Sequence, residues 1–205
     1  MESYQTVQMP GEAVIVEKKS RFIGRAAHAQ TEEEALAFLE KVRRGEPQAN
    51  HHVYAYILRE GARTRYSDDG EPQKTAGLPV LEVLRGFPVT DTVLVVTRYF
   101  GGTLLGTGGL VRAYTASAKA ALVASQIAQI SLCRTLSLTV DYALRDAAVK
   151  LIESAGAKEL KIDYTQQVAL SFRVLAGSEA PLVEALQELT RGGEVGCSDP
   201  FFAPF

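Results

Sequence analysis

No apolar stretch in this chain reaches the length needed to cross a bilayer, and its first residues hold no positively charged start followed by an apolar core. The sequence therefore predicts an unsecreted protein without a membrane partner, and its expected location is cytoplasmic. Cysteine is scarce. Cys133 and Cys197 stand alone, without CxxC spacing or a nearby histidine pair, which fits a reducing compartment better than a disulfide or a zinc site. Strong charge is missing too: the formal net charge is −2. Split at residue 130, 15 Lys+Arg stand against 14 Asp+Glu, then 7 against 10. Neither half is a polymer-binding domain by bulk charge, so a nucleic-acid ligand would have to meet a local patch on the first half. What remains is ordinary globular material: 205 residues, 46% hydrophobic and 22% charged, enough for two small domains. We place them at 1–130 and 131–205.

The most informative stretch runs from Thr92 to Val111. Val93, Leu94, Val95 and Val96 are apolar without alternation, as in a central strand covered on both faces. Arg98, Tyr99 and Phe100 close it. Gly101, Gly102, Gly106, Gly108 and Gly109 follow, and a helix is expected from about Leu110. Strand, glycine loop and helix N-terminus form a recipe for an anion site, because unpaired amides meet the positive end of the helix dipole. The spacing matches neither the P-loop nor the dinucleotide fingerprint. A tight strand-to-helix reversal is the competing explanation for the glycines.

Elsewhere the patterning is readable. Met1 to Gly11 reads as a polar tail and Ala13 to Glu17 as an edge strand. Lys18, Lys19, Arg21 and Arg25 form a short basic run. Thr31 with Glu34 is a capping box opening a helix whose inward face is Ala35, Leu36, Leu39 and Val42. His51 to Leu58 alternates as a strand. Adjacent strand residues point to opposite faces, so His51 and His52 do not share one ion, and no further ligands stand at zinc spacing. We expect no metal and no cofactor. Arg65 to Pro72 is turn chemistry, though Asp68, Asp69 and Glu71 are also candidates for magnesium or general acid–base work. Pro79 opens a helix with Val80, Leu81, Val83 and Leu84 inward. The helix after the glycine loop carries Leu110, Ala113, Ser117, Ala120, Ala121 and Ala124 on one stripe, with Arg112 and Lys119 outside it. From Leu132 the order becomes β-α-β-β-α-β, with Ser178 capping the second helix. This is the ferredoxin-like pattern, which is silent about function by itself.

Taken together, Gly77, Val80, Leu81, Leu84, Val89, Val95, Val96, Arg98 to Gly102 and Gly106 closely resemble the signature of the IMPACT/YigZ family. The resemblance extends through Lys19 to Ile23, His51 to Tyr56, Ser67 to Pro72 and Gly108 to Tyr114, and the whole chain looks like a bacterial member. It implies an α+β protein. The first domain would have the fold shared by the second domain of a small-subunit ribosomal protein and domain IV of elongation factor G, and the second would be ferredoxin-like. One departure stands out: family members usually carry Ser-Gly-Thr-Ala-Gly after Glu-Pro, where this chain has Gln73-Lys74-Thr75-Ala76-Gly77.

Eukaryotic relatives in that family restrain, in starvation, the kinase that phosphorylates a translation initiation factor. The theme carried over is translation control under stress, with RNA or the ribosome as the expected partner and no enzymatic role. The expected phosphate or nucleic-acid contacts are Lys19, Arg21, Arg98, Tyr99, Phe100, Gly101, Gly102, Gly106, Gly108, Gly109 and Arg112. A neighbouring cleft would draw on His51, His52, Asp68, Asp69, Glu71 and Lys74, and the sequence leaves open which histidine faces it. Two other readings stay open: an enzyme or binder acting on a small phosphorylated or nucleotide ligand, and an adaptor with a protein partner in translation control.

Overall fold

The computed structural model describes residues 3–205. They divide into two compact units, Tyr4–Ala128 and Gln129–Phe205 with Ser3. The architecture is α+β, with an antiparallel sheet and helices in each unit.

The first unit contains β1 (Ser3–Met9), β2 (Gly11–Glu17), β3 (Ser20–His28), α1 (Glu32–Gly45), β4 (His51–Ile57), β5 (Thr64–Ser67), α2 (Gly77–Gly86), β6 (Thr92–Tyr99) and α3 (Thr107–Ala124). Five strands form a sheet in the order β2-β3-β6-β4-β5, each pair antiparallel. β6 lies at its centre, as its unbroken apolar run predicts. Leu94 and Val96 join one core with Phe22, Val53 and the α2 and α3 residues Leu81 and Tyr114. Val93 and Val95 join another with Tyr56 and the α1 residues Ala35, Leu39 and Val42. Helices thus cover both faces of the central strand. Because paired residues share a face, Phe22, Arg98 and His51 lie on the α2/α3 side, and Ile23, Thr97 and His52 on the α1 side.

Several expectations are corrected here. Residues 3–9 are a strand rather than a tail: Val7 is fully buried, and the Thr6 hydroxyl bonds His28 Nδ1 at 2.8 Å and donates to the Asp91 carbonyl at 3.0 Å. Burying two successive residues, one polar, erased the alternation that marks a half-exposed strand. β3 is a nine-residue strand where only a basic run was apparent. Its hairpin with β2 turns on Lys18 and Lys19, whose φ values of 46° and 67° suit a two-residue turn usually built from Asn and Gly. The α1 capping box is present, with the Glu34 amide donating to Thr31 Oγ1 at 3.2 Å, but Leu36 faces outward. α3 begins at Thr107, three residues early, and buries Tyr114, Ala118 and Leu122 where Ala120 and Ala124 were expected.

The second unit follows the anticipated order: β7 (Gln126–Val140), α4 (Arg145–Ser154), β8 (Lys158–Tyr164), β9 (Val168–Leu175), α5 (Ala180–Leu189), β10 (Gly196–Cys197) and β11 (Phe201–Pro204). β10 and β11 lie along β7, β7 pairs β9, and β9 pairs β8, all antiparallel, which is the ferredoxin-like arrangement. Leu136, Leu138, Val168, Leu170 and Phe172 face Ala148, Ile152, Leu182 and Leu186 of the helices. Ser178 does not cap α5. Its hydroxyl donates to the Leu175 carbonyl at 2.8 Å and closes a turn, while the N-cap is Glu179.

Small residues bring α3 onto the sheet. A Cβ on Gly24 would stand 2.5 Å from the Ser117 carbonyl oxygen, and one on Gly11 would stand 2.4 Å from that of Ala121. Gly24→Ala should therefore destabilise the chain by about 1–3 kcal/mol, the usual range for overpacking, read as a lower urea midpoint. An unchanged midpoint would mean that α3 is free to lift.

Candidate functional site

At one end of the first sheet, the start of β3, the start of β4 and the end of β6 meet the loop Asp68–Ala76 and the glycine loop. Arg98, expected as a free phosphate ligand, is buried there. Its Nη1 bonds Glu71 Oε1 at 2.6 Å, with only 7% and 4% of the two side chains exposed. The Tyr114 hydroxyl donates to the same carboxylate oxygen at 2.7 Å. Burial first, then the Glu71 charge, pushes the Tyr114 pKa far up, so the phenol stays protonated and serves as a donor. Ser20 Oγ receives the Gly101 amide at 3.1 Å and Arg98 Nη2 at 3.5 Å. Arg98 Nε is buried without a partner.

His51 sits beside this cluster and His52 does not. His51 Nδ1 bonds the Asp69 carbonyl at 2.8 Å. A carbonyl only accepts, so Nδ1 carries the proton, and a neutral His51 keeps a lone pair on Nε2, which lies 3.9 Å from Glu71. His52 lies on the opposite face, its Nδ1 3.2 Å from Thr97 Oγ1. Desolvation by burial holds its pKa below the usual 6.5, with Asp69 opposing.

The three acids expected to hold magnesium or move protons are already engaged. Asp68 accepts the amides of Lys74, Ala76 and Gly77 at 2.8, 3.1 and 2.8 Å, and so caps the start of α2 with an aspartate remote in sequence. Asp69 takes the His52 amide at 2.6 Å and Arg43 at 3.1 Å. Glu71 is held by Arg98 and Tyr114. Among the described residues, no group of three or more His, Cys, Asp or Glu is placed to hold a metal ion.

The remaining expected contacts divide between the two faces. Arg21 lies over the Tyr99 ring at 4.5 Å on the α1 side, and Tyr99 donates its hydroxyl to Glu46. That bond, then Arg25, keeps the Glu46 carboxyl below its ordinary pKa. Phe100 is 46% exposed and its amide donates to Asn50 Oδ1 at 2.8 Å. Two of the expected backbone donors, Phe100 and Gly101, are thus already used. The first turn of α3 is different. Gly106 is its N-cap at φ 74°, no side chain caps it and no acid stands in it. The Leu110 amide bonds the Gly106 carbonyl at 2.9 Å, which leaves the amides of Thr107, Gly108 and Gly109 as the orphans of a helix start. Arg112 Nη1 lies 3.6 Å from where a Gly108 Cβ would be, and Gly101 lies so close to Lys19 that a Cβ there would be 2.0 Å from the Lys19 carbonyl carbon. The structure thus gathers Lys19, Phe100, Gly108, Gly109 and Arg112 around one loop and removes Arg98, Arg21 and Tyr99 from it.

Sequence reasoning missed Ser20, Asn50 and Tyr114. The signal for Tyr114 is a lone aromatic on a stripe of small residues, four positions after Leu110. Ser20 lies within Lys19 to Ile23, a stretch that carries the family resemblance, and Asn50 carries no signal beyond its place just before β4.

With this geometry in view, the likeness to known proteins is informative. Residues 18–122 match the family described as the Impact N-terminal domain, and residues 138–192 match a domain of unknown function, DUF1949. The IMPACT family member YigZ of Escherichia coli is 36% identical over 195 residues, spanning 94% of this chain and 96% of that protein. The IMPACT family member YvyE of Bacillus subtilis is 36% identical over 193 residues, 94% of this chain and 89% of its own. A solved structure described as a hypothetical protein is 35% identical, covers 96% of this chain and 97% of its own, and superposes with a TM-score of 0.63. Another, described as the two-domain translational regulator Yih1, is 28% identical and covers 59% of this chain and 47% of its own, with a TM-score of 0.34. The chain belongs to the IMPACT family.

Removing one member of the buried network tests its weight. Glu71→Ala leaves Arg98 without its carboxylate and should cost about 3–5 kcal/mol in urea unfolding, whereas Tyr114→Phe should cost about 1–2 kcal/mol. His52 gives a pH signature. Its folded pKa is depressed, so the unfolded chain binds the extra proton and stability falls as pH drops below 6.5. His52→Gln should flatten the urea midpoint against pH just below that value. A wild-type midpoint that rises on acidification in that window would contradict the assignment.

Proposed function

We propose that this protein binds RNA through backbone phosphates at the first turn of α3, in the setting of translational control. The carrying observation is the uncapped helix start with Arg112 beside it, in a unit of near-zero net charge. Amides and dipole there favour an anion. Lys18, Lys19 and Arg112 have no acidic partner among the described residues, and half-exposed Phe100 offers a ring for a base to stack on. A binder fits better than a catalyst because Asp68, Asp69 and Glu71 are each occupied by amides, Arg43, Arg98 or Tyr114. The translational setting is drawn from kinship: Yih1, a relative by sequence, is described as a translational regulator. Stress control and the ribosome as the RNA source belong to the same reading.

A labelled single-stranded RNA titrated by fluorescence anisotropy tests this. Affinity should fall steeply with salt, and Lys19→Ala and Arg112→Ala should each weaken binding and lower the log–log salt slope by about 0.7, the value per phosphate contact on single strands. Lys150→Ala in the second unit should change neither. Binding that is flat with salt, or stabilisation by a mononucleotide without any RNA binding, would overturn the reading in favour of a small-ligand site.

A further inference from the structure

A groove of about 410 Å³ runs along α2 and α3, lined by Leu78, Pro79 and Val83 from one helix and Val111 and Thr115 from the other, with Lys74 at one end. The lining is almost wholly apolar, which is unsuited to a phosphate backbone. Nor is it closed by the chain itself: Val111 is 38% exposed.

The rim carries the second observation. Lys74 is held at φ 63°, its amide fixed by Asp68, so its backbone is locked where the groove begins. Val111, Thr115 and Lys119 recur every four residues and share a face of α3, which puts Lys119 beyond the other end, about 12 Å along the helix from Val111 at 1.5 Å per residue. Neither lysine has an acidic partner among the described residues. The groove's one acid, Glu82, pairs with Arg85 at 2.7 Å. The result is an apolar trough with an unpaired cation at each end, in a chain whose net charge is negative.

We propose that this groove receives an amphipathic acidic helix of a protein partner, with apolar side chains in the trough and carboxylates on Lys74 and Lys119. Helix-in-groove recognition supplies anchors every three or four residues, and a second carboxylate about two turns from the first reaches past the apolar anchors toward Lys119, itself about two turns beyond Val111. The surface differs from the phosphate site at the first turn of α3, and the proposal does not depend on RNA binding there.

The test uses the full chain, 15N-labelled, and a synthetic helix-forming peptide of about 18 residues with two leucines between glutamates about eight positions apart. The expected result is that amide resonances of Leu78, Val83, Val111 and Thr115 shift, and that a version with lysines replacing the glutamates does not bind. Val83→Asp, at a half-buried position packed against the core and so checked by an unaltered thermal melt, should weaken binding about tenfold or more. Should it unfold the chain, the double change Lys74→Glu, Lys119→Glu provides the same reading by transferring preference to the lysine peptide. Equal binding of both peptides, shifts confined to other surfaces, no shifts at all, or a short RNA moving Leu78 and Val83 would each overturn it.

Discussion

One carboxylate sets the geometry at the working end of the first unit. Glu71 takes Arg98 and Tyr114 on the same oxygen, and both partners come from elements that the glycine loop must connect. Arg98 ends the central strand and Tyr114 lies on α3, so fixing both fixes where the loop begins and where the helix starts. A buried pair of this kind is weak evidence for stability, because desolvation offsets much of its attraction. Its contribution is positional, and it is strongly felt only when one partner is lost. Ser20 extends the constraint by tying the Gly101 amide to the start of β3.

That arrangement divides labour between adjacent residues. Arg98 and Tyr99 are neighbours in β6 and so project to opposite faces: one enters the buried network, the other goes to Glu46 beside α1. Arg21, paired with Tyr99, and Arg98 therefore lie on opposite faces and do not line one anion cleft. The groups that the fold leaves unbonded here are the amides at the start of α3, with Lys19 and Arg112 near the same loop.

Much of the fold was legible in the chain. The unalternating run Val93–Val96, the capping box at Thr31, Pro79 at a helix start and the β-α-β-β-α-β order after Leu132 all correspond to structure, because each is a local pattern with one physical meaning. β1 and β3 were hidden for different reasons: Thr6 is buried through hydrogen bonds to distant partners, and the arginines of β3 made a strand look like a solvated run. The site was read less well. Its glycines and cations stand out in the chain, yet Arg98 and Tyr114 lie 27 and 43 positions from the Glu71 that holds them. No spacing rule connects such residues, and only tertiary contact tells a ligand-binding arginine from a buried one.

The close seating of α3 has a consequence for any anion at its start. Gly24 and Gly11 let the helix backbone touch the sheet well beyond its first turn, and bulk at either position would push it away. Wedged in that way, α3 has little freedom to slide or tilt as a guest arrives. The donors at its tip are thereby held in place, and an anion meeting them would demand little further ordering.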